Sequence, residues 1–298
     1  MALRAVSPEI KQKRLKMLMF GPPAVGKTTA AIQWPQNYII DTEKGTDAYS
    51  ESINRANSVV FQTNIFDEVV KEVKELLTTK HDYRTLTIDP ITNVYNAVQE
   101  KWSKVFEKYA KNEKQEETQD YGMRYWARVK SDFKALQRLI LALDMNVLVT
   151  SHQKDMYGPG MQKIGVSFDS MKGEDYLYDY VFRLDIRNGK RIAVTIKERA
   201  EIGKNKFPLE FEWSYENFKK YYGANILEKE SAPLVLASVD QINKVKKLIE
   251  VVKVSDEEIT NWFTKTNVDS WEEFPFEKLE KIIDHLYKKL TQVTEKIA

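Results

Sequence analysis

The stretch that decides the fold is GPPAVGKTT, residues Gly21 to Thr29, which directly follows the apolar run LKMLMF at residues 15–20. Its first eight residues fit the pattern G-x-x-x-x-G-K-[ST], and the following AAIQW is typical of a helix start. A strand, a loop with these glycines and a helix, in this order, predict a phosphate-binding loop. Backbone N–H groups of such a loop surround a β-phosphate, and its lysine neutralises the outer phosphate oxygens.

We therefore expect this loop to bind ATP together with Mg²⁺. The residues predicted to contact the nucleotide are Gly21, Pro22, Pro23, Ala24, Val25, Gly26, Lys27, Thr28 and Thr29. Lys27 also has a catalytic role, because it stabilises charge on the β- and γ-phosphates.

Two oxygen ligands for the magnesium ion are predicted. One is the hydroxyl of Thr28, and the other is Asp89, which ends the alternating segment RTLTIDP at residues 84–90. A carboxylate at the end of a buried strand commonly completes such a site. The alternative is an aspartate that only caps a turn.

Hydrolysis also needs a base that orients water. Many ATPases of the AAA+ class place a glutamate directly after the magnesium aspartate, but here Pro90 follows Asp89. The segment YIIDTEKGTD instead places Glu43 two residues beyond Asp41, where a neighbouring strand should end. We predict that Glu43 is the base; the alternative is a solvated loop glutamate. The guanine-reading pattern N-K-x-D is absent from the sequence, which argues against a GTPase.

Composition limits the other classes of function. The 298 residues are 42% hydrophobic, and 46 basic against 44 acidic residues give a net charge of +2, so nucleic-acid binding would need local clusters. Without cysteine, disulfides and thiol nucleophiles are excluded. Apolar runs fall short of the roughly 20 residues of a membrane span, and a secretory signal pattern is missing. We expect a cytoplasmic protein with no membrane partner.

Periodicity predicts an α/β fold with a mostly parallel sheet and antiparallel edge strands. Strands are predicted at residues 15–20, 38–41, 58–61, 84–89 and 146–151, with amphipathic helices between them and antiparallel strands from Tyr180 onward. Three helices, one with Ser255 as its N-cap, are predicted near the C-terminus. The predicted domains are a basic tail at 1–14, an ATPase core at 15–227, a linker at 228–237 and a helical domain at 238–298.

The segment QKDMYGPGMQKIGVSFDSMKGEDY, residues 153–176, is predicted to be a mobile loop because it holds four of the 11 glycines. Its lysines suit phosphates and its aromatic rings suit stacking on bases. The residues predicted to bind DNA are Lys154, Tyr157, Lys163, Phe168 and Lys172. Its acidic residues dilute the charge, and a plain flexible loop is the alternative.

Three segments carry a resemblance to a known family. IIDTE at residues 39–43, VLVTSHQ at 147–153 and VFRLDIRNGKRIAVTIKERAEIGKNKFPLEFEW at 181–213 resemble RecA- and RadA-type recombinases. The bare, short core looks most like phage-encoded RecA-core ATPases of single-strand annealing and recombination systems.

The resemblance implies a RecA-like core in which Glu43 activates water and either His152 or Gln153 senses the γ-phosphate. It also implies that Lys197 and Arg199 reach the ATP of an adjacent subunit. Two residues apart on a predicted strand, these cations would project from one face, although a solvent-facing pair is the alternative. The implied partners are single-stranded DNA, further copies of the chain with ATP between them, and a single-strand binding protein or another replication or recombination protein of a phage acting in the host cytosol.

The sequence thus predicts a DNA-stimulated ATPase that supports recombination or annealing. Two other functions stay open at this point. One is a helicase loader or replicative motor, which would form stable rings. The other is a DNA-binding module that uses ATP only as a conformational ligand.

Overall fold

The computed structural model describes residues 13–113, 119–199 and 204–295. The predicted basic tail at 1–14 lies almost entirely outside the described residues. No helix in the described ranges is long and apolar enough to cross a membrane. The chain forms two compact units: one lies within Met1–Lys71, His81–Lys130 and Asp144–Ser231, and the other within Glu72–Lys80, Ser131–Leu143 and Ala232–Ala298.

A nine-stranded sheet organises the first unit. Five neighbouring strands run parallel in the order β3-β2-β4-β5-β1, and β1 and β4 are buried along their whole length. Burial on both faces explains why these strands are nearly continuous apolar runs. The strands are β1 Lys16–Gly21, β2 Asn37–Asp41, β3 Val59–Gln62, β4 Thr85–Asp89 and β5 Asn146–Tyr157. Their carboxyl ends therefore meet at one edge of the sheet.

The remaining strands extend this parallel core. β7 (Tyr180–Arg187) pairs parallel with β1, whereas β8 (Lys190–Glu198) and β9 (Glu210–Glu212) continue the sheet in antiparallel pairs. β6 (Lys163–Phe168) pairs antiparallel with the end of β5. The predicted α/β fold class, with a mostly parallel sheet and antiparallel edge strands, is confirmed.

Helices connect the strands. They are α1 Lys27–Ala31, α2 Ser50–Arg55, α3 Phe66–Thr78, α4 Ile91–Glu113, α5 Gln119–Ala142, α6 Tyr215–Tyr222 and α7 Ala224–Leu227. One strand differs clearly from its predicted bounds, because β5 continues six residues beyond the predicted end at Ser151.

An aromatic cluster fixes β7 and β8 beside β1. Phe182 on β7 lies 5.2 Å from Phe207 and 6.0 Å from Phe218 between ring centroids, and Trp34 closes the cluster 5.3 Å from Phe218. Rings at such distances add to the free energy of burying their apolar area. At the end of β1, an added Cβ on Gly21 would lie 2.7 Å from the carbonyl oxygen of Leu184, so only glycine fits there.

The second unit contains the three predicted C-terminal helices, α8 Val239–Val252, α9 Asp256–Thr266 and α10 Phe276–Glu295. Ser255 caps α9 as predicted, since its side chain accepts from the Glu258 N–H at 3.3 Å. Ser238 forms a capping box with Gln241 at the start of α8. The core of this unit consists of Ile242, Val245, Leu248, Phe274, Leu279, Ile283 and Leu286. The domain boundaries stated above stay predictions.

We predict that Phe182→Ala lowers the free energy of unfolding by about 3–5 kcal/mol, because it leaves a cavity in the aromatic cluster. Ile186→Ala on the same strand is the matched control, since that side chain is 56% exposed and its loss should change stability by less than about 0.5 kcal/mol. Urea denaturation of both variants measures the difference. Equal losses would contradict the assignment of Phe182 to the core.

Candidate functional site

A cavity of about 670 Å³ opens at the carboxyl ends of the parallel strands. It brings together the phosphate-binding loop, the predicted base and both sensor candidates. Its lining comprises Gly21, Pro23, Ala24, Gly26, Lys27, Thr28, Thr29, Glu43, Gly45, Tyr49, Asp89, Pro90, His152, Gln153, Asp169 and Arg191. Clefts at this edge of an open α/β sheet are the usual place for ligands.

The lysine of the loop is held at the mouth of the cavity. Lys27 Nζ donates to the carbonyl oxygens of Gly21 at 3.1 Å and Pro22 at 3.0 Å. Burial lowers the pKa of this amino group, and the nearby carboxylates of Asp89 and Glu43 act in the opposite direction. The ammonium group is therefore placed where phosphate oxygens could replace its two carbonyl partners.

Asp89 ends β4 as a buried carboxylate, only 4% exposed. It accepts hydrogen bonds from the hydroxyls of Thr150 on β5 and Thr28 on α1. Burial raises the pKa of Asp89; the two hydroxyls oppose this, and the charges of Asp41 and Glu43 add to it. The carboxylate thus remains costly to ionise until a cation approaches.

Asp41 organises the loop after β2. Its carboxylate accepts from the N–H groups of Glu43 at 3.0 Å, Gly45 at 3.2 Å and Thr46 at 2.9 Å, and from the Thr46 hydroxyl at 2.6 Å. Burial alone would raise the pKa of Asp41, but the hydrogen bonds from Thr46, Glu43 and Gly45 lower it overall. The loop that carries Glu43 is thereby fixed in place. The pattern D-T-E-K-G-T could have predicted this role of Asp41, because an aspartate side chain in a turn often accepts hydrogen bonds from the N–H groups that follow it.

The predicted base and one predicted sensor contact each other. Glu43 Oε1 lies 2.7 Å from His152 Nε2 and accepts from Asn93 Nδ2 at 3.3 Å. The side chains of Glu43 and His152 are 45% and 39% exposed, so both reach the open part of the cavity. Gln153, the other sensor candidate, lines the same cavity and is the first residue of β5 to pair with β6.

Hydrogen bonds tie the end of β5 to the segment after β6. The His152 N–H donates to Thr92 Oγ1 at 3.0 Å, and that hydroxyl donates to the Asp169 carbonyl at 2.7 Å. The Asp169 N–H in turn lies 2.8 Å from the His152 carbonyl. Sequence reasoning missed Thr92 and Asn93, because their roles depend on where α4 passes the strand ends.

The predicted DNA-binding segment contains a β-hairpin where a mobile loop was expected. β5 extends to Tyr157 and pairs with β6, so alternating side chains face opposite sides. Phe168 is 9% exposed and packs 6.4 Å from the Phe20 ring, so it is not available for stacking on a base in this conformation. Tyr157, by contrast, is 56% exposed.

The lysines of this segment remain at the surface. Lys154 pairs with Asp169 at 3.2 Å and Lys163 with Asp155 at 2.7 Å, while Lys172 is exposed beyond the hairpin. A phosphate would have to replace the two carboxylates.

Lys197 and Arg199 lie at the other end of the sheet. β8 runs antiparallel to β7, so its last residues lie beside the amino ends of the parallel strands. Lys197 Nζ donates to the Asp175 carbonyl at 2.7 Å and lies 5.9 Å from the Tyr176 ring, and Arg199 pairs with Asp179 at 2.7 Å. These cations therefore do not contribute to the cavity of their own chain.

Arg191, which sequence reasoning missed, lies at the opposite end of β8. Its Nε donates to the Val25 carbonyl at 3.0 Å, and its guanidinium lies against Gly26 within the cavity lining. The sequence around the turn RNGK does not indicate that Arg191, at the start of β8, would lie against the phosphate-binding loop.

Comparison with known families agrees with this geometry. A family model described as an AAA domain (AAA_24) matches residues 13–207, about two thirds of the chain. The chain belongs to the AAA domain family. The matched range includes every residue that lines the cavity, as well as Lys197 and Arg199.

Among solved structures, the chain is similar to the crystal structure of the RadB recombinase. The two are 18% identical, with a TM-score of 0.37, and the match covers 62% of this chain and 81% of the RadB chain. None of the curated proteins matches the sequence.

The polar groups of the AAA domain fit a magnesium ion. A hydroxyl oxygen from Thr28 and a carboxylate oxygen from Asp89, already in contact, are the hard ligands that Mg²⁺ prefers, with water and phosphate oxygens completing its shell. Among the described residues there is no group of three His, Cys, Asp or Glu side chains placed to hold a metal ion. A nucleotide-dependent site needs no such group, because the phosphates supply ligands.

We predict that Asp89→Asn stabilises the nucleotide- and magnesium-free protein, increasingly so as pH rises. The folded-state pKa of Asp89 is raised above 3.8, so its contribution to stability is complete below that pH and is lost as pH rises through the folded value. Asn does not titrate, and the stability gap between variant and wild type should therefore widen with pH. Urea denaturation at pH 4 and pH 8 measures it.

Asp82→Asn, at an exposed aspartate, is the control and should show no such widening. A gap for Asp89→Asn that stays constant between the two pH values would show that Asp89 does not carry a raised pKa.

Proposed function

We propose that the AAA domain binds ATP with Mg²⁺ and hydrolyses it, with Glu43 as the base. One observation carries this proposal: Glu43, placed by the Asp41 hydrogen bonds, shares a cavity with Lys27 and Asp89 although it comes from a different strand. A carboxylate at hydrogen-bonding distance from His152 is oriented, not loosely solvated. This favours a catalytic role over a surface role.

Each residue then has a distinct task. Lys27 would neutralise the β- and γ-phosphate oxygens, while Thr28 and Asp89 would hold Mg²⁺, which when bound offsets phosphate charge. Both hydrogen bonds to Glu43 engage Oε1, and Oε2 makes none to a described residue. Oε2 could therefore accept a proton from the attacking water.

A second cavity supports a place for the adenine ring. It has a volume of about 550 Å³ and shares Thr29 and Tyr49 with the first cavity. Ile32, Pro35 and Tyr215 provide apolar walls, which suit the faces of a flat base. The nucleotide would thus extend from Lys27 along α1 towards Tyr49.

We further propose that the β5–β6 hairpin binds single-stranded DNA in phage recombination or annealing. Exposed Tyr157 could stack on a base, and Lys154 and Lys163 could contact phosphates. The hydrogen bonds through Thr92 and Asp169 link this hairpin to His152. That link supports a DNA-stimulated ATPase, since a change at the γ-phosphate could reach the hairpin.

Self-association with ATP between subunits is the last part of the proposal. Lys197 and Arg199 lie at the end of the sheet away from their own cavity, which supports a role towards a neighbour. Burial lowers the pKa of Lys197, as does the charge of Arg199, and the Asp175 and Asp179 carboxylates oppose this. Two cations this close together favour the binding of a further anion in addition to Asp179.

We expect Glu43→Gln to lower kcat for ATP about 10²- to 10⁴-fold while ATP binding is retained, because only proton abstraction is lost. Lys27→Ala should instead lose ATP binding. Glu51→Gln, at an exposed glutamate, is the matched control and should turn over ATP normally. Turnover with and without single-stranded DNA measures all three, and normal turnover by Glu43→Gln would overturn the assignment of the base.

For DNA binding, Tyr157→Ala should weaken affinity for single strands by about 1–3 kcal/mol through loss of one stacked base. Lys163→Ala should reduce the slope of log affinity against log salt by about 0.7 for one lost phosphate contact. Tyr287→Ala, at another partly exposed tyrosine, is the control. Fluorescence anisotropy at several salt concentrations gives both quantities; unchanged affinity and slope would exclude the hairpin as the DNA site.

A further inference from the structure

Arg191 occupies a place in the cavity that the reaction scheme above does not use. It is the second residue of β8, and its Nε–H donates to the carbonyl oxygen of Val25 in the phosphate-binding loop. An added Cβ on Gly26 would lie 2.2 Å from Arg191 Nη2 and 2.7 Å from Cζ. The guanidinium therefore lies directly on the loop, in space that Gly26 leaves open.

The charge of Arg191 is not balanced by an acidic side chain. Among the described residues, none forms an ion pair with Arg191, whereas its neighbours on the β7–β8 hairpin do: Arg187 pairs with Asp185 and Glu210, and Lys190 pairs with Glu212. Burial lowers the pKa of Arg191, and only Tyr49 opposes this. A partly buried cation without a counter-ion is unfavourable unless a ligand supplies the anion.

The geometry leaves part of the guanidinium available for such an anion. Nε donates to the Val25 carbonyl, which orients the plane of the group, while neither terminal nitrogen donates to a described residue and Arg191 lines the cavity. A planar guanidinium held in this way donates two parallel hydrogen bonds to phosphate oxygens. Its neighbours Lys27 and Tyr49 lie on the path of the proposed nucleotide.

We propose that Arg191 is a phosphate ligand of the nucleotide bound by its own chain, and that it holds the Val25–Gly26 part of the loop in place for that contact. This inference rests on the proposed nucleotide binding. It assigns to β8 a residue that acts within the subunit, in addition to the cations at the far end of the same strand.

Three variants of the full chain test the inference by equilibrium binding of fluorescent ADP and ATP. Arg191→Gln removes the charge, Arg191→Lys retains it without the Nε–H donor to Val25, and Arg187→Gln removes an arginine of the same hairpin outside the cavity. Melting temperatures of the nucleotide-free proteins show whether each variant is folded.

We expect Arg191→Gln to raise Kd for both nucleotides about 10- to 100-fold, the loss of a charge-assisted hydrogen bond. Arg191→Lys should recover only part of the affinity, because it restores the charge but not the two parallel hydrogen bonds or the Val25 contact, and Arg187→Gln should bind within about twofold of wild type. Wild-type affinity in Arg191→Gln would overturn the inference, and so would equally weak binding by Arg191→Lys, which would assign the effect to the Val25 hydrogen bond alone. Failure of wild type to bind either nucleotide would instead refute the proposed ATP site.

Discussion

The hydrogen bonds that Thr28 and Thr150 donate to the buried carboxylate of Asp89 join the three central elements of the site. Thr28 follows β1, Asp89 ends β4 and Thr150 lies on β5, the strand between them. Parallel alignment is what makes this possible, because only parallel strands deliver three consecutive carboxyl ends to one edge. The Asp41 loop joins the same edge from β2, and Glu43 enters the cavity with it.

The site is assembled at a cost to the unliganded protein. Asp89 is buried with a raised pKa, and Lys27 and Arg191 are partly buried with lowered pKa values. Each of these shifts means that the folded state disfavours the charged form of the group. A magnesium ion and a phosphate chain carry the opposite charges, so ligand binding would relieve the same burden that folding imposes. Sites that trade stability for function in this way are common in enzymes.

The sequence predicted those site residues whose roles follow from their neighbours in the chain, and missed those whose roles depend on contacts between distant segments. Lys27 and Asp89 belong to local patterns, a loop between strand and helix and a carboxylate at a strand end, and the structure places both in the cavity. Arg191 lines the cavity only because β8 pairs with β7 in one particular register, and the residues around the turn do not indicate which register forms. The β5–β6 segment was predicted as a loop because of its glycines, although the alternation in KIGVSF is typical of a strand. The burial of Phe168 against Phe20 could not be predicted either, because it is a contact between residues far apart in the sequence.

Strand β8 carries a cation near each of its ends, and a different role is proposed for each. Arg191 and Lys197 are separated by about 20 Å along an extended strand, at roughly 3.3 Å per residue. One lies on the phosphate-binding loop of its own chain, and the other points away from it beside Asp175. The aromatic cluster around Phe182 packs the β7–β8 hairpin against β1. Because protein interiors are densely packed, this cluster leaves the hairpin little room to shift. The same packing therefore holds both ends of β8, with Arg191 at the cavity of its own chain and Lys197 at the end of the sheet proposed to face a neighbour.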